Sequence, residues 1–136
     1  MTMDKNTSAS AQAAPEIKAG LTTLDPGAGY ITTMNTYTVA PDRVEQVLAY
    51  LVRSANETVR HVPGFVSMNF HVSLDRTQIV NYGQWKNREA MAAARENPKI
   101  VALMSETAKI AGSSKPVPYE LRQSVAADEN AGTRSA

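Results

Sequence analysis

An α+β fold, with helices covering one face of a small antiparallel sheet, is what this chain predicts. Three observations carry it. Segments rich in β-branched and aromatic residues alternate with apolar-striped helical ones, in the order strand, helix, strand, strand, helix, strand. The second and third strands are separated only by the turn-forming Leu74-Asp75-Arg76-Thr77, so they form a hairpin. The length of 136 residues suits one domain with a modest core. Together these describe the split βαβ, or ferredoxin-like, plan with an antiparallel sheet.

Residues 1–28 are dominated by Ser, Thr, Ala, Gly and Pro, with Ile17, Leu21 and Leu24 scattered without a period. Such a segment buries too little to order itself and is expected to be disordered or loosely docked. It ends at the turn signal Asp25-Pro26-Gly27. The folded domain is expected over residues 29–124, with 125–136 a polar C-terminal tail. Tyr30 to Val39 reads as the first strand, with Ile31, Thr33, Asn35 and Tyr37 on one face and Thr32, Met34 and Thr36 on the other. Pro41 opens a helix where its missing N–H costs nothing, and Asp42 sits favourably at the positive end. Val44, Val47, Leu48, Leu51, Ala55 and Val59 form its apolar stripe before Val62-Pro63-Gly64 turns the chain. Phe65 to Ser73 is the second strand.

The third strand, Gln78 to Trp85, places Ile79, Asn81, Gly83 and Trp85 on one face and Val80, Tyr82 and Gln84 on the other. If the first face lies under helices, Asn81 is an amide aimed into apolar space, and it needs partners or a ligand. Asn87 reads as the N-cap of the next helix. That helical region breaks at Asn97-Pro98, restarts with Ile100, Leu103, Met104 and Thr107 in phase, and ends at Gly112. Val117 to Ser124 is a last strand, and Pro118 suits an edge. With the helices on one side, Val66, Met68, Phe70, Val72, Val80 and Tyr82 are expected to share the bare side. A second copy would cover them, giving a homodimer.

Composition narrows the chemistry. With no cysteine, disulfides, thiolate catalysis and thiolate metal sites are excluded. The two histidines, His61 and His71, have no metal-ligand spacing, so no metal is expected. A net charge of +1 gives no reason to expect nucleic acid or an anionic membrane as partner. No apolar run approaches the roughly 20 residues that span a bilayer, and the N-terminus lacks a secretory h-region. The expectation is a soluble cytoplasmic protein.

The segments Val62-Pro63-Gly64-Phe65, Asn69-Phe70-His71-Val72-Ser73-Leu74-Asp75 and above all Val80-Asn81-Tyr82-Gly83-Gln84-Trp85 resemble the antibiotic biosynthesis monooxygenase family. They are most similar to its cofactor-less anthrone monooxygenases of aromatic polyketide pathways. The similarity covers about residues 30–124 and neither tail. It implies a dimeric α+β barrel, an aromatic substrate with O2, and no cofactor. It also implies catalytic roles for Asn81 and Trp85, which match pocket residues of the family, for Asn35 on the first strand, and for His71 as proton acceptor. Tyr37, Phe65, Tyr82 and Met91 are the implied substrate-binding walls. Met91 stands where the actinorhodin-type enzymes have a tyrosine, so a phenol at that position is lost here. The family hosts unlike chemistries. A quinol-type monooxygenase acting on a simpler aromatic and a non-catalytic small-molecule-binding module stay open as alternatives. A haem-degrading relative would need a histidine on the helix after Trp85, and there is none from Lys86 to Gly112.

Overall fold

The structure is a computed structural model, and it describes residues 20–130. Four strands, β1 (Ile31–Thr38), β2 (Phe65–Val72), β3 (Gln78–Trp85) and β4 (Val117–Glu120), form one sheet in the order β2-β3-β1-β4. Every neighbouring pair is antiparallel. Helices α1 (Val44–Glu57), α2 (Arg88–Glu96) and α3 (Pro98–Ala111) lie in the connections. This is the expected α+β, ferredoxin-like arrangement. The expected tail over 1–28 falls largely outside the described residues, as do positions 131–136 of the C-terminal one.

Local chemistry explains the boundaries. Pro41 begins a short 3-10 turn, Pro41–Arg43, that leads into α1. The side chain of Asn87 accepts a hydrogen bond from the Ala90 N–H at 2.8 Å and so caps α2. Asn97 ends α2 in an extended conformation, as a residue before proline prefers, and its side chain accepts from the Lys99 N–H to start α3. Gly64 adopts φ +81°, and a Cβ built there would stand 2.3 Å from Ala90 Cβ. Glycine is required at that point by both torsion and space. The last strand stops at Glu120, short of the expected Ser124, and it sits at a sheet edge.

The strand alternations hold, but the expected bare apolar face does not. In the β2–β3 register Met68 lies opposite Gly83, Phe70 opposite Asn81 and Val72 opposite Ile79. These apolar side chains therefore join the helix-covered side. Alternation fixes two faces within one strand but not the phase between two strands, which the connecting turn sets. Here Ser73 does so: its N–H donates to the Gln78 carbonyl, and its Oγ accepts from the Thr77 and Gln78 amides. A bulge between Phe65 and Ser67 also brings Phe65 across to pair with Trp85. The outer face instead carries three rows, Met34-Tyr82-Asn69, Thr36-Val80-His71 and Thr32-Gln84-Ser67. The last row lies beneath the N-terminal arm. Thr22 and Ser67 hydroxyls both donate to Gln84 Oε1 at 2.6 Å, and Gln84 Nε2 donates to the Thr23 carbonyl at 2.9 Å. Thr32 and Gln84 are buried as a result.

Under the helices the core is in two pieces. Tyr37, Val44, Val47, Tyr50, Leu51, Ile79 and Ala111 make one; Val59, Val62, Trp85 and Ala94 make the other. The space between them is not closed.

Candidate active site

That space is a cavity of about 390 Å³ between the sheet and helices α1, α2 and α3. Its volume lies in the range that takes a drug-sized ligand. Tyr37 and Leu51 of one core piece line it, and so do Val59, Trp85 and Ala94 of the other. Met68, Phe70, Met91, Ile100, Leu103 and Met104 make most of the remaining wall apolar. The buried Tyr50 hydroxyl and Thr107 Oγ1, 3.1 Å apart, tie α1 to α3 above it.

The sheet floor is polar at its centre. Asn35 and Asn81 lie directly opposite each other on β1 and β3, which places their Cβ atoms about 5 Å apart. The Oδ1 atoms of both are buried and have no hydrogen-bond partner. An unpaired buried acceptor costs about 1–3 kcal/mol, so two side by side are a cost to the fold that donors brought by a ligand would offset. A half-turn of either carboxamide presents its N–H2 instead. Two pleats along β3 from Asn81, Trp85 packs edge-to-face on Phe65 with ring centroids 5.6 Å apart. Its Nε1–H donates to Thr33 Oγ1 at 3.4 Å, a long bond that a better acceptor would displace. Gly83 lies between Asn81 and Trp85, and a Cβ there would stand 3.1 Å from Thr33 Oγ1. Its lack of a side chain keeps the Trp85–Thr33 pair within reach. The Tyr37 phenol is held above its ordinary 10.0 by burial, and nearby Tyr50 adds to the rise. A hydrogen bond with Ser114 offsets part of it. Tyr37 is therefore a neutral phenol at working pH.

The expected site residues divide clearly. Asn35, Asn81, Trp85, Tyr37 and Met91 all line the cavity. Phe65 stands behind Trp85 and orients the indole without lining the wall. His71 and Tyr82 do not belong there. Their register partners, Val80 and Asn69, place them on the outer face, and His71 is exposed. The expectation for His71 followed from assigning β2 and β3 the wrong relative phase, whereas alternation along β3 already set Tyr82 on the face opposite Asn81 and only the resemblance implied a wall role for it. Thr33 was missed, although its place two residues before Asn35 on the same face of β1 was readable. Arg95, the one charged side chain lining the cavity among the described residues, was missed as well. Its signal was the spacing of four from Met91. The described residues contain no group of three His, Asp or Glu side chains placed to hold a metal.

A β-α-β-β-α-β domain with a buried amide pair and an indole under its helices defines a class, and comparisons with known proteins identify it. The antibiotic biosynthesis monooxygenase family model matches residues 30–105. The chain is 35% identical over 80 residues to the tetracenomycin-F1 monooxygenase of Streptomyces glaucescens, covering 59% of this chain and 71% of that one. It is similar to the crystal structure of the ActVA-Orf6 monooxygenase of Streptomyces coelicolor in complex with nanaomycin D (TM-score 0.66, 25% identity, 76% of this chain and 96% of that one). It is also similar to SnoaB, a cofactor-independent oxygenase from Streptomyces nogalater (TM-score 0.57, 27% identity, 72% of this chain and 98% of that one). The chain belongs to the antibiotic biosynthesis monooxygenase family, and it is an enzyme of the monooxygenase class.

Proposed function

We propose that this protein is a cofactor-independent monooxygenase that oxidises an anthrone-type aromatic polyketide to a quinone with O2. The observation that carries the reading is the pair of orphaned amide oxygens, Asn35 and Asn81, beside the loosely held Trp85 N–H on the floor of an apolar cavity. A flat phenolic polycycle supplies a hydroxyl donor to the Asn35 oxygen and carries a carbonyl for the indole and for an Asn81 amide turned to donate. SnoaB, a cofactor-independent oxygenase, and the polyketide-pathway enzymes above support the same class of reaction.

In this reading the substrate C–H ionises to a delocalised carbanion whose charge rests on the ring oxygen. The carbanion passes one electron to O2, and the radical and superoxide combine to form a C–O bond. Protonation gives a hydroperoxide, and loss of water leaves the new carbonyl. The protein lowers the first barrier by aiming preorganised donors at the oxygen in a water-poor site. Trp85 Nε1–H and an Asn81 amide turned N–H inward are those donors. No imidazole or carboxylate lines the cavity among the described residues, and Tyr37 holds its own proton too tightly to act as base. The substrate proton therefore leaves through the open mouth to solvent. His71→Gln is accordingly expected to keep its rate and its pH profile.

The working unit is a homodimer. Met34, Val80 and Tyr82, contiguous by register and half-buried on the outer face, form the apolar centre of the contact. We place the protein in the cytoplasm. No helix among the described residues is long and apolar enough to cross a membrane.

The test is oxygen uptake with dithranol by chelator-treated protein. Uptake with quinone formation is expected, reduced roughly 10- to 1000-fold in Asn81→Ala and Trp85→Phe, as for other oxyanion donors. Uptake no faster than the spontaneous oxidation would sink the reading.

A further inference from the structure

The proposed reaction needs the Trp85 N–H inside the cavity, but packing alone leaves the direction of that N–H open. Edge-to-face contact with Phe65 fixes the plane of the indole. The torsion that joins an indole to its Cβ is two-fold in character, so a half-turn keeps the plane and sends Nε1 to the other side. A polar contact must choose between the two, and Thr33 supplies it. Thr33 lies directly opposite Gly83, which makes it the diagonal neighbour of Trp85, two residues further along β3. Long side chains reach that diagonal. The indole N–H donates across it to Thr33 Oγ1 at 3.4 Å, while a Cβ on Gly83 would stand 3.1 Å from the same oxygen. On its other side Thr33 pairs with Pro118 of β4, whose side chain has no polar atom to compete for the hydroxyl.

We infer that Thr33 is a positioning residue: it holds the Trp85 N–H within the cavity, and Gly83 keeps the way between them clear. The inference rests on the proposed reading in that it gives the indole N–H a role at the substrate oxygen. The length of the bond suits this use. At 3.4 Å it biases the ring, yet it is given up readily when a carbonyl or an oxyanion arrives. Thr33 and Trp85 line the same cavity as Asn35 and Asn81, so the N–H that Thr33 holds is already inside the site it serves. The competing role for Thr33 is only to satisfy a buried indole, which would act on the fold and not on turnover.

Trp85 is the only tryptophan, so heteronuclear NMR of the labelled protein gives a single indole N–H signal. Thr33→Val keeps the β-branched shape and removes the hydroxyl. In the free protein it should move that signal upfield and broaden it, as the ring samples both orientations. Thr33→Ser should keep the signal near its wild-type position. Gly83→Ala, with the hydroxyl intact but crowded, should shift it as Thr33→Val does. In oxygen uptake with dithranol, Thr33→Val should lower kcat roughly two- to tenfold, the worth of one ordinary hydrogen bond, with KM within about twofold. Thr33→Ser should restore the rate. The loss should vanish when Thr33→Val is combined with Trp85→Phe, because Thr33 acts only through the indole. An indole signal unmoved by Thr33→Val, or an equal loss of kcat with and without the indole, overturns the inference. A lower melting temperature with kcat unchanged assigns Thr33 to the fold and overturns it too. A signal that moves in a protein without oxygen uptake defeats the oxygenase reading alone, since Thr33 still orients the indole.

Discussion

Asn35 and Asn81 make a trade visible at the level of single side chains. Each carries a buried oxygen without a partner, so each subtracts from stability in the free protein. Asn35→Ala and Asn81→Ala are therefore expected to melt at or above the wild-type temperature while losing activity, a combination that scanning calorimetry and oxygen uptake would show together. Melting well below wild type would mean that the amides serve the fold. Tyr37 gives a second prediction. Its folded pKa lies above the unfolded value, so the native state holds the proton more tightly and gains stability that is full below about pH 10. That gain is lost as pH rises through the folded value. Denaturant midpoints measured upward from about pH 9 should fall in wild type and fall less in Tyr37→Phe.

Among the elements, the most exacting junction is Gly64 against α2. Gly64→Ala would combine a left-handed torsion with a Cβ 2.3 Å from Ala90 Cβ. The torsion costs about 1–2 kcal/mol and the overpacking about 1–3, so a loss of roughly 2–5 kcal/mol is expected in urea unfolding. Ala90→Gly in the same chain should recover the packing part and leave the torsional part. The strands and helices themselves were legible in the sequence because each has a local cause: the Asn87 cap, the Asn97-Pro98 break, the alternation along β3. The phase between β2 and β3 was not, because it depends on how Ser73 closes the hairpin and on the bulge at Phe65. The errors at the site follow that line. Asn81 and Trp85 share one strand and were placed together correctly, while His71 needed the cross-strand phase and went to the wrong side; Tyr82 was placed on the outer face by alternation, against the wall role the resemblance implied. Asn35 depended on the β1–β3 register, which sets it opposite Asn81.

For the molecule as a whole, the outer sheet face is the open question of assembly. It is less apolar than alternation alone suggested, with His71, Asn69 and Thr36 around Met34, Val80 and Tyr82. A charge at its centre should therefore be decisive: Tyr82→Asp is expected to sediment as a monomer where wild type sediments as a dimer, with Trp85 emission unchanged. A wild-type monomer at micromolar concentration would remove the dimer from the proposal. The arm adds to this face, since Thr22 and Thr23 complete the hydrogen bonding of the buried Gln84. Deleting residues 1–29 should leave that amide short of partners and lower stability by about 1–3 kcal/mol. One further feature bears on how long such a catalyst survives. Met68, Met91 and Met104 all face the cavity, within which the proposed chemistry makes an organic peroxide. Thioethers are readily oxidised to polar sulfoxides, so each misdirected oxygen atom roughens an apolar wall. The enzyme then wears out by the number of turnovers it has performed rather than by its age, and repair by sulfoxide reduction would restore it.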